Sequence, residues 1–325
     1  MKGYKGFNPG LICKDKQYQE NTVFEEPEAK ICEKGMHFCE SPFDVLDYYD
    51  LIRSDGTPNE FAEVEALDEP KTDDKKKFCS RKLKIGVKLG LSGFVKACVD
   101  FVLEKTIAET PSENVDSGNS AQIGSSGDYA RIGSSGNSAQ IGSSGYCAQI
   151  GSSGDYARIG SSGNSSQIGS SGDYAQIGSS GDSARIGSSG DSAQIGSSGD
   201  CAQIGSSGNS TRIGSSGNSA QIGSSGNSTR IGSSGNSTRI GSSGNYAQIN
   251  CTGSDSVICC AGHGSVVKAP IGCWITLAEW KYDGAKQRCV PVCVKTEYVD
   301  GEKIKADTPY TLKNGEFVEA DSDGE

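Results

Sequence analysis

No stretch of this sequence approaches the ~18 consecutive apolar residues of a membrane-spanning helix. The first ten residues, MKGYKGFNPG, hold no apolar core long enough for a secretory signal. Basic residues are in deficit, 31 Lys and Arg against 41 Asp and Glu, for a formal charge of −10. Binding to phosphate needs a basic surface, so neither nucleic acid nor a membrane is expected as a partner. The deficit is uneven. Residues 119–249 hold six Arg and six Asp and are neutral, whereas both flanks are acidic. A nucleic-acid mimic built on the middle segment would need an acidic face of one sign, and that is missing too. There is no phosphate-binding loop, no nucleophile elbow and no paired-histidine metal motif, and no cofactor is expected. The thirteen cysteines are odd in number and irregularly spaced, which favours reduced thiols over a disulfide framework.

What is present in excess is glycine, 45 residues, concentrated in one repetitive segment. Ile stands at 123, 132, 141 and every ninth position through 258, sixteen in all, and Val267 takes the next slot. The unit is Gly-Ser-Ser-Gly-[Asn/Asp]-[Ser/Tyr/Cys]-[Ala/Thr/Ser]-[Gln/Arg]-Ile. A flexible Gly/Ser linker has no reason to keep Ile in strict register. Strand residues alternate faces, so Ile and the small residue two before it point inward, and Gln or Arg points to water. Gly-Ser-Ser-Gly-Asn is then the turn, with Gly permitting positive φ and Asn or Asp tolerating it. One nonapeptide cannot bury its Ile, but stacked copies can. The fold class is therefore mainly β: a parallel β-solenoid of roughly fifteen nonapeptides.

Two nonapeptides per coil would give a flattened roll, and three a triangular prism. Arg fills the outer slot at 131, 158, 185, 212 and 239, each 27 residues apart, with one more at 230. Gln fills 140, 167, 194, 221 and 248 at the same interval. This favours three sides over two, with an arginine stripe on one side, although duplication of a 27-residue unit would give the same statistics. The order Ala-Gln-Ile-Gly also resembles the hexapeptide repeat of left-handed β-helices. Calcium-binding nonapeptides are matched in length alone, because they require Gly-Gly-x-Gly-x-Asp. The ordered Thr rows of an ice-binding face are missing as well.

A solenoid must close its open ends. At the C-terminal side the outer slot becomes Val257 and Val266, so something is expected to pack over it. The following segment reads as short strands joined by YDG, VDG and KNG turns, a β-meander cap with Trp274, Trp280 and Tyr298 as its apolar mass. His263 falls in a turn slot. The domains expected are a small α+β domain at 1–110, a linker at 111–118, the solenoid at 119–267 and the cap at 268–325.

In the first domain YKGFN begins a strand, and SPFDVLDYYD reads as a short helix with Ser41 as N-cap. EFAEVEAL alternates like a strand, and KLKIGVKLGLSGFVKACVDFVLEK reads as a strand, a turn at Gly90 and a helix. Cys13, Cys32, His37 and Cys39 are ligand types that zinc prefers, with packing of half-apolar side chains as the alternative. The run YKGFN…LIC…CEKGMHFCESPFDVLDYYD…FAEVEA, over most of residues 2–106, resembles a domain of unknown function widespread in bacteriophages and prophages of gut bacteria. The tail WITLAEW…VKTEYVDGEKIKADTPYTLKNGEFVE resembles one that accompanies it. The resemblance implies a viral or prophage origin and no particular activity. A location in the bacterial cytosol or on a virion goes with it.

YKG on a first strand followed by GMHFCESPFDVLDYY also resembles the outline of ADP-ribosyltransferases. Lys5 stands where that family has Arg, and HFC stands in place of an STS-like element. Glu63 and Glu65 are the acidic residues at hand on a strand. The function expected first is that of a non-enzymatic structural or interaction protein that displays polar rows to a protein or glycan. Tyr129, Tyr156 and Tyr174 beside Arg131 and Arg158, with Arg185, Arg212 and Arg239 continuing the row, are the candidate contacts, since Tyr and Arg are common interface anchors. One alternative is an effector or anti-host enzyme with its chemistry in residues 1–110. Another is a sequestering protein with a pocket near Val257 and His263. The oligomeric state is left open.

Overall fold

The structure, a computed structural model, describes residues 1–53, 57–105 and 113–320. The N-terminal part is α+β. Its strands are β1 (Lys2–Phe7), β2 (Ile12–Cys13), β3 (Lys16–Gln17), β4 (Val23–Glu25), β5 (Met36–Cys39), β6 (Glu60–Ala66), β7 (Lys71–Thr72), β8 (Lys77–Ser80) and β9 (Lys82–Leu89). Seven of them form one sheet in the order β4-β9-β6-β1-β5-β8-β7, and β2 pairs with β3. The helices are α1 (Pro42–Val45) and α2 (Leu91–Lys105). Ser41 stands at the expected N-cap, but its hydroxyl makes no capping bond. Phe61 stacks on Phe94 at 3.7 Å, fixing α2 to the sheet.

The middle of the chain is a parallel β-solenoid of about nine turns over residues 115–277. After β10 (Glu113–Asp116), fifteen strands of four residues follow at nine-residue intervals, from β11 (Gln122–Ser125) to β25 (Gln248–Cys251). Each residue pairs with the one eighteen positions on: Gln122 with Gln140, Ile123 with Ile141. The coil is therefore two-sided, which corrects the expectation of three sides. A 27-residue interval is one and a half coils, so it places Arg alternately on the two sheets. Arg131, Arg185 and Arg239 lie on one, and Arg158, Arg212 and Arg230 on the other.

The isoleucines form one dry column, from Ile141 at 0 % exposure to Ile123 at 6 %. The small-residue slot is buried beside them. The turn is shorter than the sequence suggests. The first Gly and Ser of Gly-Ser-Ser-Gly belong to the strand, and that Ser points inward: Ser143, Ser161, Ser179 and Ser197 are fully buried. Where Ser or Thr replaces Ala in the small slot it can meet this hydroxyl, as Ser166 does with Ser161 at 2.8 Å and Thr211 with Ser206 at 3.3 Å.

The left-handed residue of the corner is not in the Gly or the Asn/Asp slot of the motif but in the slot after Asn/Asp. Its φ lies between 54° and 59° in fifteen successive copies from Ser120 to Tyr246. That conformation costs an L-residue roughly 1 kcal/mol. In return its N–H reaches the next coil: Ser183 donates to the Asp200 carbonyl at 2.8 Å. The Asn or Asp before it makes a side-chain ladder. Asp182 Oδ1 accepts the Asp200 N–H at 2.9 Å, and Asn164 Oδ1 accepts that of Asp182. Tyr146 interrupts one ladder, because it has no such oxygen to offer Asn164. Tyr146→Asn is expected to supply it and raise stability by about 1 kcal/mol, read as a higher urea midpoint.

The C-terminal β-meander closes the solenoid by extending its sheets. β26 (Val257–Cys260) and β27 (Val266–Lys268) are the last repeat-like strands. β28 (Trp274–Asp283) adds in parallel to β26, and β29 (Arg288–Tyr298) turns back on it. β30 (Pro309–Lys313) and β31 (Glu316–Glu319) form a second hairpin on β27. Leu277, Val299, Ile304, Tyr310 and Leu312 continue the dry column. The expected cover over Val257 is not there. Val257, Trp274 and Tyr298 lie 50 %, 48 % and 42 % exposed, because the cap grows in the plane of the sheet.

The N-terminal part docks onto the sheet that contains β11. The outward Gly of each Gln-Ile-Gly-Ser strand leaves a groove there, and α2 lies in it. Val102 and Val99 sit over Gly142, Val99 over Gly160, Val95 over Gly178 and Leu91 over Gly196. Four helical residues advance about 6 Å and three about 4.5 Å, against about 4.8 Å per strand, so a ridge stepping by four, four and three from Leu91 to Val102 follows the glycines. Polar contacts flank it. Arg158 pairs with Asp47, Arg212 with Asp50 at 2.5 Å, and Gln194 Oε1 accepts the Leu51 N–H at 2.9 Å.

Candidate functional site

The N-terminal sheet builds a pocket of about 690 Å³ lined by Lys5, Cys13, Tyr18, His37, Cys39 and Tyr49, among others. β1 supplies Lys5 and β5 supplies His37 and Cys39, and the two strands are neighbours with Tyr4 opposite Cys39. Gly6 marks a close approach: a Cβ there would lie 2.6 Å from the Tyr49 ring. Lys5 is 5 % exposed, and its Nζ donates to the His37 carbonyl at 2.9 Å and to Cys13 Sγ at 3.4 Å. It also lies 5.4 Å from the Phe7 ring centre and 5.6 Å from that of Tyr18. No carboxylate pairs with it among the described residues. Burial pushes its pKa down, with Cys13 working against that shift.

The proposed zinc ligands do not assemble. Among the described residues no three His, Cys, Asp or Glu side chains are placed to hold a metal ion. Lys5 lies against Cys13, with its Nζ where a metal would need to be. Tyr49 donates to the same sulfur at 3.0 Å, and Lys77 donates to Cys32 Sγ at 3.1 Å. His37 Nε2 is already used, accepting the Cys32 N–H at 3.0 Å. Burial, with Asp44 and Asp47 adding to it, pushes the Cys39 thiol up to about 12, so it stays protonated.

His37 is held down at about 4, first by burial and then by Lys5, Lys77 and Lys14. Its imidazole is thus neutral at pH 7, as its acceptor role requires. The unfolded chain takes up this proton first, near pH 6.5. Stability from His37 is therefore complete above about pH 6.5 and is lost as pH falls from there through about 4. The His37 ring is expected to titrate near 4 by NMR. His37→Gln is expected to flatten the loss of stability over that window.

Residues 1–97 match a domain of unknown function, DUF7666. No curated protein and no solved structure matches the chain. The DUF7666 region holds the whole pocket and the first half of α2. Of the residues that the ADP-ribosyltransferase outline would use, the DUF7666 domain brings Lys5, His37 and Cys39 together. Glu63 is exposed on β6, and neither it nor Glu65 lines the pocket. Tyr18, Tyr49 and Lys77 were not singled out from the sequence. Gly6 in YKGF was the available signal for Tyr49, since a bare backbone often marks close packing.

The tyrosine and arginine candidates do not form one patch. Tyr156 and Tyr174 stack at 5.0 Å on one edge of the solenoid, whereas Tyr129 meets Tyr146 edge-on at 6.1 Å on the other. Arg158 and Arg212 are turned toward the DUF7666 domain, and Arg131, Arg185 and Arg239 face away from it on the opposite sheet. Between those three arginines runs a second groove of about 1400 Å³, lined by Gly133, Gly151, Gly169, Gly187 and their neighbours. It ends at Val257 and Cys259. His263 does not line it, and packs edge-on against Tyr246 at 5.5 Å.

Proposed function

We propose that this is a non-enzymatic interaction protein of phage or prophage origin, with the solenoid as scaffold and binding surface. The observation that carries this reading is the asymmetry of the two sheets. One is fastened to the N-terminal domain by α2 and the Arg158 and Arg212 pairs. Among the described residues, nothing packs over Arg185, Arg239 and the Gln row of the other. A partner bound there would be held in fixed geometry to the pocket behind it. The test is capture from a bacterial lysate by the full chain against a variant with Arg185 and Arg239 both changed to Glu. Selective loss of a captured protein or glycan supports the reading, and identical capture removes it.

The convergence of Lys5, His37 and Cys39 favours a second reading, a small-ligand site in the N-terminal domain. An enzyme of the ADP-ribosyltransferase type would need a carboxylate held inside the pocket; of those at its rim Glu26, Glu28 and Glu33 are tied to lysines, and Asp15 is exposed to solvent. Binding without turnover is therefore expected. Incubation with NAD should leave it intact. Consumption that disappears in Lys5→Met and His37→Gln would replace the non-enzymatic reading with the catalytic one.

A further inference from the structure

We propose that the uncovered glycine groove binds an amphipathic α-helix of a partner protein, with aliphatic residues at every third or fourth position and acidic residues beside them. This deepens the scaffold reading and rests on it. The structure contains the template. On the docked sheet the same Gln-Ile-Gly-Ser strands form the same groove, and α2 fills it with Leu91, Val95 and Val99 over successive glycines. The acidic residues Asp47 and Asp50 reach the arginines at its rim, three strands apart.

Among the described residues, the uncovered groove repeats each of these features without an occupant. At Gly151, Gly169, Gly187, Gly205, Gly223 and Gly241 an added Cβ would meet nothing within 4 Å. These glycines are not needed for the chain's own packing. Gln and Arg wall one side, and Ser153, Ser171, Ser189 and Ser207 wall the other. Arg185 and Arg239 again stand three strands apart, about 14 Å. Among the described residues no acidic side chain lines the groove from Gly151 to Gly241, so its charge there suits an anionic partner and disfavours a second copy of the same face. Val115 closes one end. At the other the groove runs onto Val257 and the exposed Trp274 beside it, an apolar anchor point. From Gly133 to Gly241 it spans six strand spacings, about 29 Å, room for a helix of about 19 residues.

The probe is a fluorescent, stapled helical peptide with the α2 sequence carrying Lys96→Glu, Lys105→Glu and Cys98→Ala, titrated against the full chain. Saturable binding is expected, weakened roughly tenfold or more by Gly187→Val, which fills the groove. Combined Arg185→Glu and Arg239→Glu should also weaken it, and added salt should do the same. Gly187→Val adds its methyls to open space, so an unchanged circular dichroism spectrum is expected alongside. No saturable binding, or binding indifferent to Gly187→Val, overturns the proposal. So does self-association of the wild-type chain in sedimentation that Gly187→Val abolishes, since the occupant would then be a second copy. Peptide failure with lysate capture intact sinks the groove and leaves the scaffold reading. Loss of both sinks the scaffold reading as well.

Discussion

Gly181→Ala is expected to destabilise the solenoid by about 3 kcal/mol or more, although it adds one methyl group at a corner. A Cβ at position 181 would stand 2.1 Å from the Gly163 carbonyl oxygen and 2.5 Å from its carbon. Both are backbone atoms of the adjoining coil, so no side chain can rotate away. The coils must separate, and the Asp182 ladder bond to Asn164 and the strand bonds above it stretch with them. Gly187→Ala, six residues on, is the control. Its Cβ meets nothing, and replacing Gly in a strand is expected to stabilise by about 0.5–1 kcal/mol. A solenoid need not unfold in one step. The measurement is therefore amide hydrogen exchange around residues 163–182 together with the urea midpoint. Equal behaviour of the two variants would mean that the coils are not in the contact described.

Gly178→Val is expected to release the N-terminal domain while leaving the solenoid folded. A Cβ at Gly178 would lie 2.6 Å from Val95 Cγ2, and valine adds two methyls beyond it into the helix. Val95 cannot retreat, because it is also packed with Phe94 and Cys98 in the core of its own domain. The loss to docking should be at least about 2 kcal/mol. The arginine pairs cannot compensate. Arg212 and Asp50 are partly exposed, where a pair contributes roughly 0–1 kcal/mol, and Arg158, 15 % exposed beside Asp44 and Asp47, keeps its pairs only while the domain is seated. The expected readout is a larger radius of gyration in small-angle scattering and faster exchange across α2, with the strand amides still protected. A compact particle with unchanged exchange would contradict the seating of α2.

Glycines 178, 181 and 187 show what the sequence could and could not disclose. All three belong to copies of one motif, and the motif predicts a buried Ile, an inward small residue and an outward polar one, as the structure has them. The reason for each glycine is set by what lies across from it: a helix, a neighbouring coil, or open space. None of those is written within nine residues. The same blindness produced the preference for three sides. An interval of 27 residues in Arg and Gln was legible, but coil length is decided by hydrogen-bond pairing between strands, which leaves no mark on residue identity when every strand is alike. In the pocket, Lys5, His37 and Cys39 could be picked out by type. Their arrangement around the buried Lys5 Nζ, which displaces the zinc expectation, depends on Cys13 and Tyr49 arriving from separate segments.

A coil of two nonapeptides gives the chain a parity. Removing or inserting a single nine-residue unit would exchange front and back for everything downstream. The Trp274 and Tyr310 hairpins would be delivered to each other's sheets, and every later arginine would change sides. Removing two units would only shorten the rod by about 4.8 Å. Changes in the length of this protein are therefore free in multiples of eighteen residues and disruptive in odd multiples of nine, a counting rule imposed by a flattened cross-section alone.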